Sequence, residues 1–184
     1  NEVFDDIEIE LKQRLEPLGL TWQLINRARP KRMVVLASKS DHCLNELLWR
    51  QNRGELPVSI PMVISNHRDV QHSVEQFDIP FHHVHSQGPD KSAAEAEILK
   101  LIGSKADFVV LARYMQILSE DFLEHIDVPI INIHHSFLPA FIGAAPYRKA
   151  KERGVKMIGA TAHYVTTDLD EGPIIEQDIA PVGH

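Results

Sequence analysis

The chain is poor in the residues that mark several large classes of protein. It has one cysteine, Cys43, so an internal disulfide framework is excluded and a reducing cytoplasm is expected. No apolar run approaches the roughly 20 residues that cross a bilayer, so we expect no membrane partner. Lys and Arg total 19 against 26 Asp and Glu, and this net charge of −7 argues against nucleic-acid binding. The start lacks both an initiator Met and a signal peptide, so we expect the numbering to begin inside a longer protein.

The first part of the sequence differs in pattern from the rest. Apolar positions at helical spacing predict an amphipathic helix over residues 1–18, and residues 20–25 predict a strand. A polar, proline-containing linker follows at residues 27–32. We therefore divide the chain into residues 1–28 and a main domain of residues 29–184.

The main domain alternates strands with helices, which predicts an α/β fold with an open, mostly parallel sheet covered by helices on both faces. A final helix and a C-terminal hairpin around an acidic loop break the alternation. Asp41 and Asn66 are expected to cap the first two helices. The predicted strands cover residues 33–38, 58–64, 80–85, 108–112 and 130–134, the later helices 92–102, 119–125 and 146–154, and the hairpin 157–165 with 173–179.

The clearest candidate site is Asn132-Ile-His134 at the end of a predicted strand. Residues i and i+2 of a strand share a face, so the amide and the imidazole project side by side. Such donors suit a carbonyl oxygen that becomes negatively charged during attack. A carboxylate from a later loop, Asp170 in Asp-Glu-Gly-Pro, can orient the imidazole or a water molecule. The pattern indicates acyl chemistry on a small carbonyl compound, at the carboxyl end of the strands where open α/β sheets bind ligands.

Four stretches in order, 111–119, 131–139, 159–165 and 169–174, resemble the folate-dependent formyltransferase family. The resemblance covers about residues 31–182, and residues 38–44, 111–116 and 134–144 are similar to its hydrolase branch. It implies a Rossmann-like formyltransferase fold. It also implies that residues 1–28 are the end of an ACT-like regulatory domain and that the protein is a homo-oligomer.

One departure from the family pattern bears on the acceptor. Relatives that formylate a ribonucleotide carry a glycine-rich turn after the first strand, where backbone N–H groups hold phosphate. Here that turn is Ser38-Lys-Ser-Asp-His42, which has no glycine and an added carboxylate. A phosphorylated acceptor is therefore disfavoured, and water is the expected nucleophile.

The resemblance implies hydrolysis of 10-formyltetrahydrofolate to tetrahydrofolate and formate, which would serve purine synthesis. Asn132 and protonated His134 are expected to stabilise the oxyanion, and Asp170 is expected to hold the attacking water. No metal and no cofactor is expected, because the folate is itself the substrate. The expected substrate-binding residues are Arg113, Met115, Gln116, Ile117, Leu118, Thr161 and His163.

Simpler interpretations apply to other residues. His135 is expected to be structural because it faces opposite to His134, and Cys43 is expected to be a buried helix thiol. The histidines of segment 82–85 have no Cys or acidic partner near in sequence, which disfavours a metal site. Two other functions stay open: formyl transfer to an amine acceptor, and a non-catalytic module that senses folate or an amino acid.

Overall fold

The chain divides into two compact units, Asn1–Pro30 and Lys31–His184. A computed structural model describes residues 2–20, 22, 24, 29–86, 91–140 and 146–182.

The first unit contains the amphipathic helix predicted for residues 1–18. Helix α1 spans Glu2–Leu15 and continues into a 3₁₀ turn, Glu16–Leu18. The turn ends at Gly19 with φ of 66°, a left-handed conformation that glycine adopts without steric penalty. The strand expected over residues 20–25 lies partly outside the described residues. Assignment of this unit to an ACT-like domain stays a prediction.

The described residues of the second unit build one eight-stranded sheet, and this confirms the predicted fold class. The strands are β1 Lys31–Ala37, β2 Val58–Ser59, β3 Val63–Ser65, β4 Phe81–His83, β5 Phe108–Ala112, β6 Ile130–His134, β7 Met157–Tyr164 and β8 Ile174–Pro181. The strand order is β4-β3-β1-β5-β6-β7-β8, with β2 also paired to β1. Pairing is parallel from β4 to β6 and antiparallel from β6 to β8.

Helices cover both faces because the central strands are apolar on both sides. The helices are α2 His42–Asn52, α3 Gln71–Glu75, α4 Ser92–Ile102, α5 Glu120–His125 and α6 Pro146–Glu152. In β1, Val34 and Leu36 pack in one core with Ile98 of α4 and Phe122 of α5. Its alternate residues pack in a second core with Leu44 and Leu48 of α2, Val74 of α3, and Val70 just before α3.

The strand predicted over residues 58–64 is two short strands instead of one. Both β2 and β3 pair with β1, at its start and at its end respectively. Pro61 lies in the break between them, and a proline has no N–H to donate to a sheet.

Of the two predicted helix caps, Asp41 is confirmed in position and Asn66 is wrong. Asn66 does not cap α3, which begins at Gln71; it accepts a hydrogen bond from the Ser38 hydroxyl at 2.7 Å. Asp41 occupies the N-cap position of α2, but its side chain makes no capping bond and accepts from Asn45 Nδ2 at 3.0 Å.

The sheet has a topological switch point between β1 and β5. From β1 the order runs to β3 and β4 on one side and to β5 and β6 on the other. Ligands of open α/β sheets bind in the crevice at the carboxyl ends of such strands. Buried Ser38, just after β1, connects the two sides there: its hydroxyl donates to Asn66 and accepts from Met115 N at 3.0 Å.

Candidate active site

The ends of β6 and β7 place four predicted site residues on one face. In this antiparallel pair Asn132 lies opposite His163, and His134 lies opposite Thr161. Directly opposed residues project to the same side of a sheet. His134 and His163 are buried, at 6% and 2% exposure.

Asp170 reaches this face from the loop between β7 and β8. Its Oδ1 lies 3.4 Å from His134 Nδ1 and 3.8 Å from His163 Nε2, and its side chain is 8% exposed. Its φ of 59° is left-handed, a conformation that Asp and Asn tolerate better than most residues. The loop therefore aims a buried carboxylate between two imidazoles.

Gly172 explains why the Asp-Glu-Gly-Pro segment folds back onto β7. A Cβ at this position would overlap the carbonyl oxygen of Tyr164, so only glycine permits the close approach. The amide of Tyr164 donates to Pro173 O at 3.0 Å and closes the loop. The position of Asp170 thus depends on a backbone contact two residues away.

His163 lies beside both the Asn132 amide and the Asp170 carboxylate. Its Nδ1 lies 2.9 Å from Tyr164 O, which can only accept, so Nδ1 carries the proton in the neutral ring. Nε2 then accepts from Asn132 Nδ2 at 3.3 Å. This bond fixes the rotation of the Asn132 amide and leaves its second N–H for another acceptor.

A cavity of about 470 Å³ opens over these groups, a volume typical of small-molecule sites. Its walls are the loop after β5 and the loop between β7 and β8. Asn132, His134 and Asp170 line it, and so do six of the seven predicted substrate-binding residues: Arg113, Met115, Gln116, Ile117, Leu118 and His163.

Thr161, the seventh, is not among the residues that line this cavity. It is fully buried; its hydroxyl donates to Ser136 O at 2.8 Å and accepts from Leu138 N at 3.0 Å. Gln177 Nε2 donates to the same oxygen at 2.9 Å. These bonds hold the turn that follows His134. A contact between Thr161 and substrate stays a prediction.

His135 was expected to be structural and to face opposite to His134, but it lies in the cavity wall. Its Nδ1 lies 2.7 Å from Arg113 Nη1, and its ring centroid lies 5.6 Å from that of His134. Arg113 has φ of 58°. Burial, and then the charges of Arg113 and His134, lower the pKa of His135, so the neutral ring accepts from the guanidinium. Strand alternation missed this because β6 ends at His134.

Two other side chains differ in part from expectation. Cys43 is half-buried instead of buried, and burial raises the pKa of its thiol. His83 and His85 have ring centroids 6.2 Å apart. No group of three His, Cys, Asp or Glu among the described residues is arranged to hold a metal ion.

Comparison with known proteins places this geometry in a family. A formyltetrahydrofolate deformylase of Mycobacterium bovis is 56% identical over 169 residues, which are 92% of this chain and 54% of that protein. The chain thus spans about half the length of that relative. The crystal structure of a formyltetrahydrofolate deformylase from Pseudomonas syringae has a TM-score of 0.91 at 48% identity, covering 98% of this chain and 61% of the other.

A more distant structure shares the fold but is named for a different activity. Glycinamide ribonucleotide transformylase 1 from Symbiobacterium toebii has a TM-score of 0.79 at 32% identity, covering 90% of this chain and 79% of the other. The sequence model described as formyl transferase matches residues 31–184, well over half of the chain. The chain therefore belongs to the formyl transferase family.

Proposed function

We propose that this domain hydrolyses 10-formyltetrahydrofolate to tetrahydrofolate and formate, the activity for which its deformylase relatives are named. The observation that carries the proposal is a continuous set of contacts in one cavity. Asn132 meets His163 at 3.3 Å, His163 meets Asp170 at 3.8 Å, and Asp170 meets His134 at 3.4 Å. An amide, an imidazole and a carboxylate therefore surround one small volume.

In the proposed mechanism, water attacks the formyl carbon and the formyl oxygen becomes an oxyanion. The free N–H of Asn132 and protonated His134 donate to that oxygen. One well-placed donor lowers the barrier by roughly 3–4 kcal/mol. Asp170 holds the attacking water, and its negative charge favours the protonated form of His134. The C–N bond then breaks, N10 of the folate gains one proton of the attacking water, and the formic acid that forms loses its acidic proton to solvent and becomes formate.

Exposed apolar side chains at the cavity support binding of an aromatic substrate. Met115, Ile117 and Leu169 line the cavity and are each more than half exposed. A pterin or aminobenzoyl ring that covered them would remove apolar surface from water, which is favourable by about 25 cal/mol per Å². We propose that the Arg113–Leu118 loop and the loop ending at Asp170 hold the pterin. In this proposal no resident cofactor takes part, because the folate is the substrate.

The turn after β1 supports water as the acceptor of the formyl group. Residues 38–42 contain no glycine and carry Asp41, whose side chain is exposed. Backbone N–H groups in glycine-rich turns are what commonly hold a phosphate. A phosphorylated amine would therefore find no such glycine-rich turn here.

The decisive experiment supplies 10-formyltetrahydrofolate without any amine and measures formate. We expect formate and tetrahydrofolate in equal amounts. Asp170→Asn keeps the left-handed backbone accessible and removes the charge, so release should fall by at least about 10²-fold. Glu171→Gln removes the same charge from the neighbouring exposed position and should leave the rate unchanged. Equal rates in the Asp170→Asn variant and the wild type would end the assignment.

One observation favours a second candidate, transfer to an amine. A second cavity of about 450 Å³ shares Arg113, Ile133 and His135 with the first and could admit an acceptor. Formate release that requires no amine, and that added amines do not divert into a formylated product, would exclude this candidate.

The cellular setting is also part of the proposal. We propose a cytoplasmic homo-oligomer whose formate feeds purine synthesis; the single cysteine is consistent with a reducing compartment. No helix in the described part of the chain is long and apolar enough to cross a membrane.

A further inference from the structure

The second cavity has a lining with charge of only one sign. It lies between the start of α2, the turn after β6 and α6, and it shares a wall with the catalytic cavity. Among the described residues that line it, two arginines and two histidines occur and no Asp or Glu does. The basic members are His42, Arg113, His135 and Arg148.

Arg113 is the central charge of this wall. Its Nη1 donates to His135 Nδ1 at 2.7 Å, a neutral partner. Among the described residues no carboxylate forms an ion pair with it, and its buried Nε has no hydrogen-bond partner. A buried donor without a partner is unfavourable, and more so when it is charged. The positive charge of Arg113 at this wall thus has no carboxylate beside it among the described residues, and such a charge attracts an anion.

The other basic elements add to the same field. His42 and Cys43 are the first residues of α2, so the positive end of an 11-residue helix faces this region. Arg148 lies at the exposed edge and is partly neutralised by Glu152 at 3.8 Å. Asp41 precedes α2 but does not line the cavity, and its carboxylate is engaged with Asn45. The net charge of the cavity lining is therefore positive.

The proposed reaction generates an anion beside this wall. Formate forms next to Asp170, whose negative charge disfavours its retention. Arg113 and His135 border both cavities, so a guanidinium stands at the wall that the catalytic cavity shares with the second one. We propose that the second cavity is a binding subsite for a small carboxylate, through which product formate leaves the catalytic cavity. Its assignment to formate rests on the proposed function; its preference for a carboxylate rests on the lining.

Direct binding tests the subsite without catalysis. Titration of the wild-type protein with ¹³C-labelled sodium formate, at ionic strength held constant with sodium chloride, should show saturable binding by NMR line broadening. Arg113→Gln should weaken binding at least tenfold, because a charge-assisted bond is lost. Arg148→Gln should weaken it only a few-fold. Arg50→Gln, on the same helix as His42 but paired with Glu46, serves as the matched control and should bind as the wild type does.

A second measurement locates the bound formate. Saturating tetrahydrofolate should leave the formate affinity unchanged within about twofold if formate occupies the second cavity. Mutual exclusion of the two products, wild-type affinity in Arg113→Gln, or no saturable binding would each overturn the inference. Formate binding that depends on Arg113 in a protein that releases no formate from 10-formyltetrahydrofolate would support the subsite and overturn the proposed function instead.

Discussion

The parallel half of the sheet and its antiparallel hairpin hold their parts of the site by different means. In β1 the residues Met33–Ala37 are at most 2% exposed, and helices cover both faces of the parallel strands. In β8, Ile174, Ile175 and Ile179 are each 43–52% exposed. The parallel half depends on a packed core, whereas the hairpin depends on specific backbone contacts.

This difference divides the proposed catalytic groups. Asn132 and His134 lie on β6, whose other neighbour is the buried strand β5. Asp170 lies on the loop of the hairpin, where Gly172 and a left-handed backbone fix its direction. The groups proposed to stabilise the oxyanion are thus positioned by the core, and the carboxylate by a turn. Changes to the core should affect stability first, and changes to the turn should affect activity first.

The largest contrast is expected in stability. Leu36→Ala removes a fully buried side chain from β1 and should lower the free energy of unfolding by about 2–5 kcal/mol. Ile179→Ala removes a half-exposed side chain from β8 and should change it by only about 0.5 kcal/mol. Urea denaturation of the two variants measures both values. Equal losses would mean that the hairpin is packed as firmly as the parallel half.

Asn132→Ala tests the group that the core positions. The variant should lower formate release by about 10²–10³-fold, since one oxyanion donor is lost. Its unfolding free energy should change far less than in Leu36→Ala, because Asn132 is only partly buried. Steady-state rates and urea midpoints together separate the two effects. A rate within threefold of the wild type would contradict the role of Asn132 as a donor.

The parallel half was largely predictable from the sequence because its signals are local. Apolar runs such as residues 33–37 and 108–112 have the length of buried strands, and the helices between them imply crossovers. The i, i+2 spacing of Asn132 and His134 also predicted their common face correctly. Strand periodicity contains that information without knowledge of the fold.

Features outside regular elements were not predictable in this way. His135 follows the last residue of β6, so alternation gave no valid direction for its ring. Asparagine is a residue type that commonly caps helices, yet the side chain of Asn66 accepts a hydrogen bond from Ser38, which lies 28 positions earlier in the sequence. The contact between Asp170 and His134 depends on Gly172 approaching Tyr164, which only the folded hairpin brings about. Residue type suggested these sites, but tertiary contacts decided their geometry.

Gly172→Ala tests the group that the turn positions. The new methyl group collides with the Tyr164 carbonyl, so the loop must move and Asp170 with it. We expect activity to fall on the order of 10²-fold, because displacements near 1 Å have that effect. Gly154→Ala is the matched control: that glycine has φ of 68° but open space around its Cβ position, so the substitution adds backbone strain without a collision. It should leave formate release unchanged. Equal activity losses in the two variants would show that strain, and not the approach to Tyr164, is responsible.

The smallest expected effect is on pH dependence. Burial lowers the pKa of His135, so the folded state binds fewer protons than the unfolded state just below the usual value of 6.5. The stabilising contribution of neutral His135 is present above pH 6.5 and is lost as the pH falls through the lowered pKa. His135→Gln should therefore flatten the decline of unfolding free energy below pH 6.5.

His125 provides the control of opposite sign for this measurement. A hydrogen bond to the Asp121 carbonyl raises its pKa, so its contribution is present below pH 6.5 and is lost as the pH rises through the raised pKa. His125→Gln should lower the free energy of unfolding slightly, and only on the acid side of pH 6.5. Urea titrations of both variants from pH 5 to 8 compare a ring in the site wall with an exposed helix terminus. Parallel curves for the two variants would mean that His135 is solvated. The hydrogen bond that neutral His135 accepts from Arg113 would then contribute nothing to holding the wall between the two cavities.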